Sequence, residues 1–313
     1  MVQEVWLHIG SAKSGTSSLQ KHMEAHRDAL SAQGLAYIAV PKRATINELV
    51  FAYNKRKHEE LKEIAGNLNS AIANRPERIG MLSSEMLFGF KPEVIYELLP
   101  ALRDRPLNVL VYLRRQDRYI EAVYLQKSKN FRFLGSIDDY IAHFKGSGSN
   151  YAEVLAGWAG TSARIVPRVM ERQRLVGGSV VTDALAQMGL PTEGVEEDAD
   201  NNISPGYHRV QLLQAAAMAG LSNPRKLQRR LAADYPQDPA DRTPVLSQAR
   251  RRAWLDRFAA CNEELRQTYF PDQETLFDES DLERPDGTNG IPPFTEAQLR
   301  EIMRLFATLK KVG

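Results

Sequence analysis

A short strand-like run, Val5 to Ile9, stops at Gly10 and gives way to the small residues of SAKSGTSS, after which an amphipathic pattern begins. No other feature restricts the fold as much. A brief apolar run ending in glycine reads as a strand buried on both faces, as in parallel sheets. Beyond the loop, Leu19, Met23, His26 and Leu30 recur at helical spacing, and Gly34 suits a helix C-cap. The alternation then continues. Leu35 to Ala39 predicts a second strand, and Leu61, Ile64, Ala65, Leu68 and Ile72 mark an amphipathic helix. Ile79 to Ser83 and Leu107 to Leu113 predict two more strands, separated by a short helix near Val94 to Leu99. Tyr119, Ile120, Val123 and Tyr124 open another helix, and Arg164 to Val169 predicts a fifth strand.

This order implies a three-layer α/β fold around a central parallel sheet, spanning residues 1–192. Past Glu193 the pattern changes to an acidic stretch, EGVEEDADNN, and then to helical periodicities at 205–219, 224–231, 247–269 and 295–309. Residues 193–313 are therefore expected to be a mainly helical C-terminal extension of one single domain of 313 residues. Apolar and charged contents of 43% and 26% are ordinary, and a formal charge of +2 gives no global preference for a partner. The single Cys261 excludes an intrachain disulfide and fits a stripe with Trp254, Phe258 and Leu265, as a small core residue would. No secretory signal is visible, and the apolar stretch near Val210 to Leu221 is too short to span a bilayer. The expectation is a soluble, cytoplasmic chain without a membrane span, and no pattern fixes an oligomeric state.

The first loop carries the chemistry. Gly10 and Gly15 are spaced as in G-x-x-x-x-G-K-[ST], so the fold is expected to be P-loop-containing, but Thr16 stands where that motif has lysine and Lys13 lies inside the loop. Small residues let a backbone wrap an oxyanion, and the helix start offers N–H groups and a favourable dipole. Ser14, Thr16, Ser17 and Ser18 add hydroxyls, and Lys13 adds a mobile charge. A magnesium-dependent triphosphatase also needs a carboxylate ending a neighbouring strand. LNVLVYL ends instead in Arg114 and Arg115, and guanidinium groups bind phosphate in bidentate fashion. Two anion sites are expected, one at each strand end, with no metal.

SAKSGTSSLQ resembles the P-K-[ST]-G-T-[ST] loop of sulfotransferases that use 3′-phosphoadenosine 5′-phosphosulfate (PAPS), and VLVYLRRQDRYIEAVYLQ resembles that superfamily's second motif. Likeness continues in YAEVLAGWAG, RIVPRVME and NEELRQTYFPDQETLF, similar to segments of bacterial carbohydrate-type sulfotransferases. The resemblance implies PAPS as co-substrate, with adenosine 3′,5′-bisphosphate as product and no metal. It places Lys13 at the phosphosulfate bridge and Gly15, Thr16, Ser17 and Ser18 around the 5′-phosphate, with Ser11 and Ser14 in the same cofactor-binding loop. Arg114 would hold the 3′-phosphate. The chain departs from the family in having Ala12 for proline, and Ala122 where a 3′-phosphate serine stands; Arg118 and Gln126 share the face of Ala122 and could take its place.

The reaction so implied is in-line transfer of a sulfuryl group to a hydroxyl or amine of an acceptor, expected to be a carbohydrate. Glu85, after the IGMLSS strand, is the first candidate for general base, and His58 the second. His22 and His26 miss the H-E-x-x-H metal pattern, and His22 is a minor candidate base. PRKLQRR at 224–230 and RRR at 250–252 could attract an anionic acceptor or form solvated helix faces. No nucleic-acid motif is present. An ATP- and magnesium-dependent kinase with an irregular loop, using Glu85 at the metal, and a non-catalytic nucleotide-binding module are the alternatives.

Overall fold

A computed structural model describes residues 1–11, 13–144, 148–195, 206–220, 223–234, 245–282, 299–300 and 303. In chain order its elements are β1 (Glu4–His8), α1 (Thr16–Ala25), α2 (Arg27–Ala32), β2 (Leu35–Tyr37), α3 (Asn47–Asn54), α4 (His58–Asn74) and β3 (Ile79–Ser83). There follow α5 (Pro92–Leu98), β4 (Leu107–Leu113), α6 (Gln116–Lys129), α7 (Ile137–His143), α8 (Tyr151–Ala159), β5 (Arg164–Val169) and α9 (Val180–Gln187). The last are α10 (Tyr207–Met218), α11 (Pro224–Asp234), α12 (Gln248–Asp256) and α13 (Ala259–Tyr269). Two compact units result. The first takes Met1–Arg115, Gly146–Asn201 and Phe258–Asp278; the second takes Gln116–Lys145, Asn202–Arg257 and Glu279–Gly313.

The first unit holds a five-stranded, all-parallel sheet in the order β2-β3-β1-β4-β5. Its layers follow from the two-residue period of a strand. Val5, Leu7 and Ile9, with Val109, Val111 and Leu113, turn to the face covered by α4 through Leu68 and Ile72 and by α8 through Leu155 and Trp158. Trp6, with Leu110 and Tyr112, turns to the other face, covered by α1 through Leu19 and Met23 and by α9 through Val181 and Leu185. Both faces are closed, which is why β3 and β4 are buried along their whole lengths. The predicted three-layer α/β architecture and all five predicted strands are present.

The topology fixes where loops can meet a ligand. The connection from β1 runs past β3 to β2, whereas that from β4 runs the opposite way to β5. Adjacent strands whose connections diverge leave a crevice at their carboxyl ends, the usual ligand position in such sheets. The loops after β1 and β4 flank that crevice.

Two predicted helices are broken. The run from Leu19 to Leu30 divides at His26, which ends α1, and the run 247–269 divides between α12 and α13. Periodicity alone carried both runs through their breaks. Gly34 follows α2 with φ +87°, the left-handed conformation expected of a residue closing a helix. Most of the helix expected at 295–309 lies outside the described residues. Among those residues every strand precedes residue 170, and the second unit is helical, with Tyr124, Tyr140, Phe144 and Trp254 in successive ring contacts.

Candidate active site at the ends of β1, β3 and β4

The loop after β1 is built around two glycines at which a Cβ would collide with neighbouring side chains. A Cβ on Gly10 would lie 2.3 Å from Thr16 Cγ2 and 2.7 Å from His8 Nε2. Gly15 has φ +77°, and a Cβ there would meet Val180 Cγ2 at 2.7 Å. Between them Lys13 adopts φ +69°, a conformation that costs a residue with a Cβ about 1 kcal/mol. The loop is braced from within: Ser14 Oγ donates to the Ser11 carbonyl at 2.6 Å, and Ser11 Oγ to the Tyr112 carbonyl on β4 at 3.3 Å. Gly15 immediately precedes α1; its carbonyl accepts from the Ser18 and Leu19 N–H groups, and it has no side chain to cap the helix start. A tight backbone cradle at an uncapped helix start is suited to an oxyanion.

The end of β4 is tied to this loop. Arg114 Nη1 donates to the Lys13 carbonyl at 2.6 Å, and the Tyr151 hydroxyl donates to the Arg114 carbonyl at 2.5 Å. Arg115 is buried and donates to the Asp278 carbonyl at 2.5 Å, so it serves the fold rather than a ligand surface. Beneath the crevice, buried Asp183 of α9 accepts from Arg168 (2.9 and 2.5 Å), the Tyr112 hydroxyl (3.0 Å) and the Val176 N–H (3.1 Å). Burial, then the Asp183 charge, raises the Tyr112 pKa, while the hydrogen bond to Asp183 raises that of Arg168. This network fixes α9, whose Val180 borders Gly15.

A second polar network surrounds Glu85 at the end of β3. Gln20 Nε2 donates to Glu85 Oε2 and to Ser83 Oγ, both at 3.0 Å, and Asn47 Nδ2 donates to Glu85 Oε1 at 3.2 Å. Ser84 Oγ donates to Asn47 Oδ1 at 2.5 Å. Ser83 Oγ lies 2.8 Å from Nδ1 of His8, its neighbour in the parallel register. His8 is fully enclosed, and burial lowers its pKa to about 3, so the ring is neutral. Gln20, Asn47, Ser83, Ser84 and His8 are not among the candidates expected from sequence. The polar pair Ser83-Ser84 closing a buried strand, and Gln20 one turn after Thr16, are the signals that could have found them.

The expected site residues are placed as follows. Ser11, Ser14 and Thr16 are buried in the loop, Lys13, Gly15 and Ser18 are half-buried, and Ser17 is exposed. Glu85 is half-buried. His58 is exposed as the first residue of α4, and no hydrogen bond among the described residues joins it to the loop or to Glu85. Arg118 belongs to the second unit, where it pairs with Asp281 at 3.1 Å; Ala122 is half-buried and Gln126 exposed on the same helix. His26 is exposed at the α1–α2 break rather than packed, and His22 is buried with its ring stacked on that of His26. Cys261 is half-buried, accepts from the Ala152 N–H, and has its pKa raised by burial, as a packing residue would. Among the described residues no group of three or more His, Cys, Asp or Glu side chains could hold a metal ion, and no helix is long and apolar enough to cross a membrane.

No family model and no curated protein matches this chain. Among solved structures, a sulfotransferase from Alicyclobacillus acidocaldarius aligns over 77% of this chain and 98% of its own, with 16% identity and a TM-score of 0.40. A likeness of that size carries no functional argument.

Proposed function

We propose that this chain is a PAPS-dependent sulfotransferase acting on a hydroxyl or amine of a carbohydrate. The observation that carries the reading is the bond from Arg114 to the Lys13 carbonyl. It ties the guanidinium of Arg114 to the backbone at Lys13, the two residues that the sequence resemblance assigns to the donor, at the carboxyl ends of adjacent strands whose connections diverge. The loop suits an anionic donor because no side chain caps the start of α1. The grip rests on first-unit residues: the loop from Ser11 and Lys13 to Ser18, and Arg114.

PAPS, when bound, supplies a sulfuryl group on a good phosphate leaving group. Lys13 and the N–H groups at the start of α1 stabilise the negative charge that builds on the leaving oxygen. Glu85, held at both oxygens by amides, accepts the acceptor's proton as the new S–O or S–N bond forms. Glu85 is preferred to His58 because it shares a hydrogen-bonded network with α1, the helix whose start forms the cradle.

Calorimetry with adenosine 3′,5′-bisphosphate tests the donor site, and tight binding insensitive to EDTA is expected. Good binding of ATP–Mg²⁺ with none of the bisphosphate would overturn the reading in favour of a kinase. Labelled-sulfate transfer from PAPS to a panel of glycans, lipids and phenols then separates an enzyme from a binding module and tests the acceptor class.

A further inference from the structure

We infer that Gln20 is a positioning residue, through which α1 holds the Glu85 carboxylate in register with the loop at the same helix's N-terminus. What Glu85 does rests on the sulfotransferase reading; how it is held rests on hydrogen bonds within the first unit. Thr16 and Gln20 lie four residues apart, one above the other on one face of α1, and both are buried. An apolar residue would pack more cheaply at such a position, because a buried amide must find partners for its polar atoms.

Both hydrogens of the Gln20 amide are used, one on Ser83 Oγ and one on Glu85 Oε2. Turning the amide round would set its carbonyl oxygen against a carboxylate oxygen, acceptor against acceptor, so its orientation is fixed. Ser83 is itself anchored to His8 on β1, directly before the loop. Asn47 at the start of α3 takes the other carboxylate oxygen and is held in turn by Ser84. Glu85 therefore receives one neutral amide on each oxygen, from two different helices, and turning its carboxylate breaks at least one of these bonds. Neither amide is a cation, so these two bonds orient the group without a charge partner. The helix that grips the donor also aims the base.

The test compares Gln20→Met, Glu85→Gln and their double variant, with labelled sulfate passed from PAPS to the glycan panel and to water. Gln20→Met is expected to lower kcat by about 10- to 100-fold, while donor KM and bisphosphate affinity stay within about threefold of wild type. The double variant is expected to be no slower than Glu85→Gln, since Gln20 acts through Glu85. Losses that multiply, or a donor KM that rises with kcat unchanged, overturn the proposal. Ser83→Ala removes the anchor without altering α1 and is expected to cause a smaller fall in kcat, masked in the same way by Glu85→Gln. If wild type transfers no sulfuryl group, the enzymatic reading fails, and a crystal structure of Gln20→Met still decides how Glu85 is held. The structure is expected to show Glu85 displaced from Asn47 with residues 10–18 in place; Glu85 unmoved would overturn the positioning role.

Discussion

The ends of β1 and β4 and the helix α12 are both rich in cations, and they hold them differently. By count α12 is the richer in cations, with Arg250, Arg251 and Arg252 in a row. In the structure Arg251 is buried between Asp117 at 2.7 Å and Glu121 at 2.6 Å, Arg252 pairs with Glu279, and Arg250 pairs with Asp138. Glu121 also accepts from the Val245 and Leu246 N–H groups, which ties the approach to α12 onto α6. At the loop, Arg114 donates to the Lys13 carbonyl, a bond that ties the end of β4 to the loop backbone. Cation count alone does not identify an anion site. Carboxylate partners on two sides turn the buried Arg251 into a structural strut.

The largest effect that would test this contrast is at Arg251. Removing one partner of a buried ion pair leaves the others buried and uncompensated, at a cost of about 3–5 kcal/mol. Arg251→Ala should lower the stability measured by urea unfolding by that much. Replacing Arg251, Asp117 and Glu121 together by Met, Leu and Leu should recover most of the loss. Lys13 is the opposite case. Lys13→Ala should slow sulfuryl transfer by a factor on the order of 10², as for loss of one preorganised charge-stabilising group. Lys13→Gly should slow it as much while raising stability by up to about 1 kcal/mol, because glycine relieves the strain at φ +69°. A drop in stability on Lys13→Gly would mean that the lysine braces the fold as Arg251 does.

His8 lets the two kinds of role be separated by pH. Burial holds its folded pKa near 3, below the ordinary value of 6.5, so below pH 6.5 the unfolded chain binds a proton that the folded chain refuses. Stability from this group is fully present above pH 6.5 and is lost as pH falls towards 3, by about 1.4 kcal/mol per pH unit. Asparagine can keep a partner for Ser83 while removing the titration. Urea midpoints at pH 6.5 and pH 4.5 should therefore converge in His8→Asn relative to wild type; unchanged pH dependence would show that His8 does not titrate as a sealed neutral ring.

The layers of the first unit were legible because strand burial is a local pattern. Ile79–Ser83, Leu107–Leu113 and Arg164–Val169 match their predicted limits, and the loop's glycines announce the tight turn. The breaks at His26 and between α12 and α13 were not legible, since apolar spacing continues through both. The network around Glu85 depends on parallel pairing of β1 with β3 and on α1 lying over them, contacts 63 to 75 residues apart in sequence. No local pattern encodes such meetings. Nor could RRR reveal its fate, because Asp117, Glu121, Asp138 and Glu279 come from distant segments.

The smallest predicted effect bears directly on that last point. Arg250 and Arg252 stand one residue to either side of Arg251, but their side chains remain 53% and 47% exposed and their pairs face water. Exposed pairs gain little from Coulomb attraction that solvent screens, and side-chain ordering offsets part of it, leaving about 0.5 kcal/mol or less. Arg250→Ala and Arg252→Ala should each shift the urea midpoint by no more than that, and less at 1 M salt, while Arg251→Ala stays costly at both ionic strengths. If Arg252→Ala proved as costly as Arg251→Ala, burial would not be what divides these arginines.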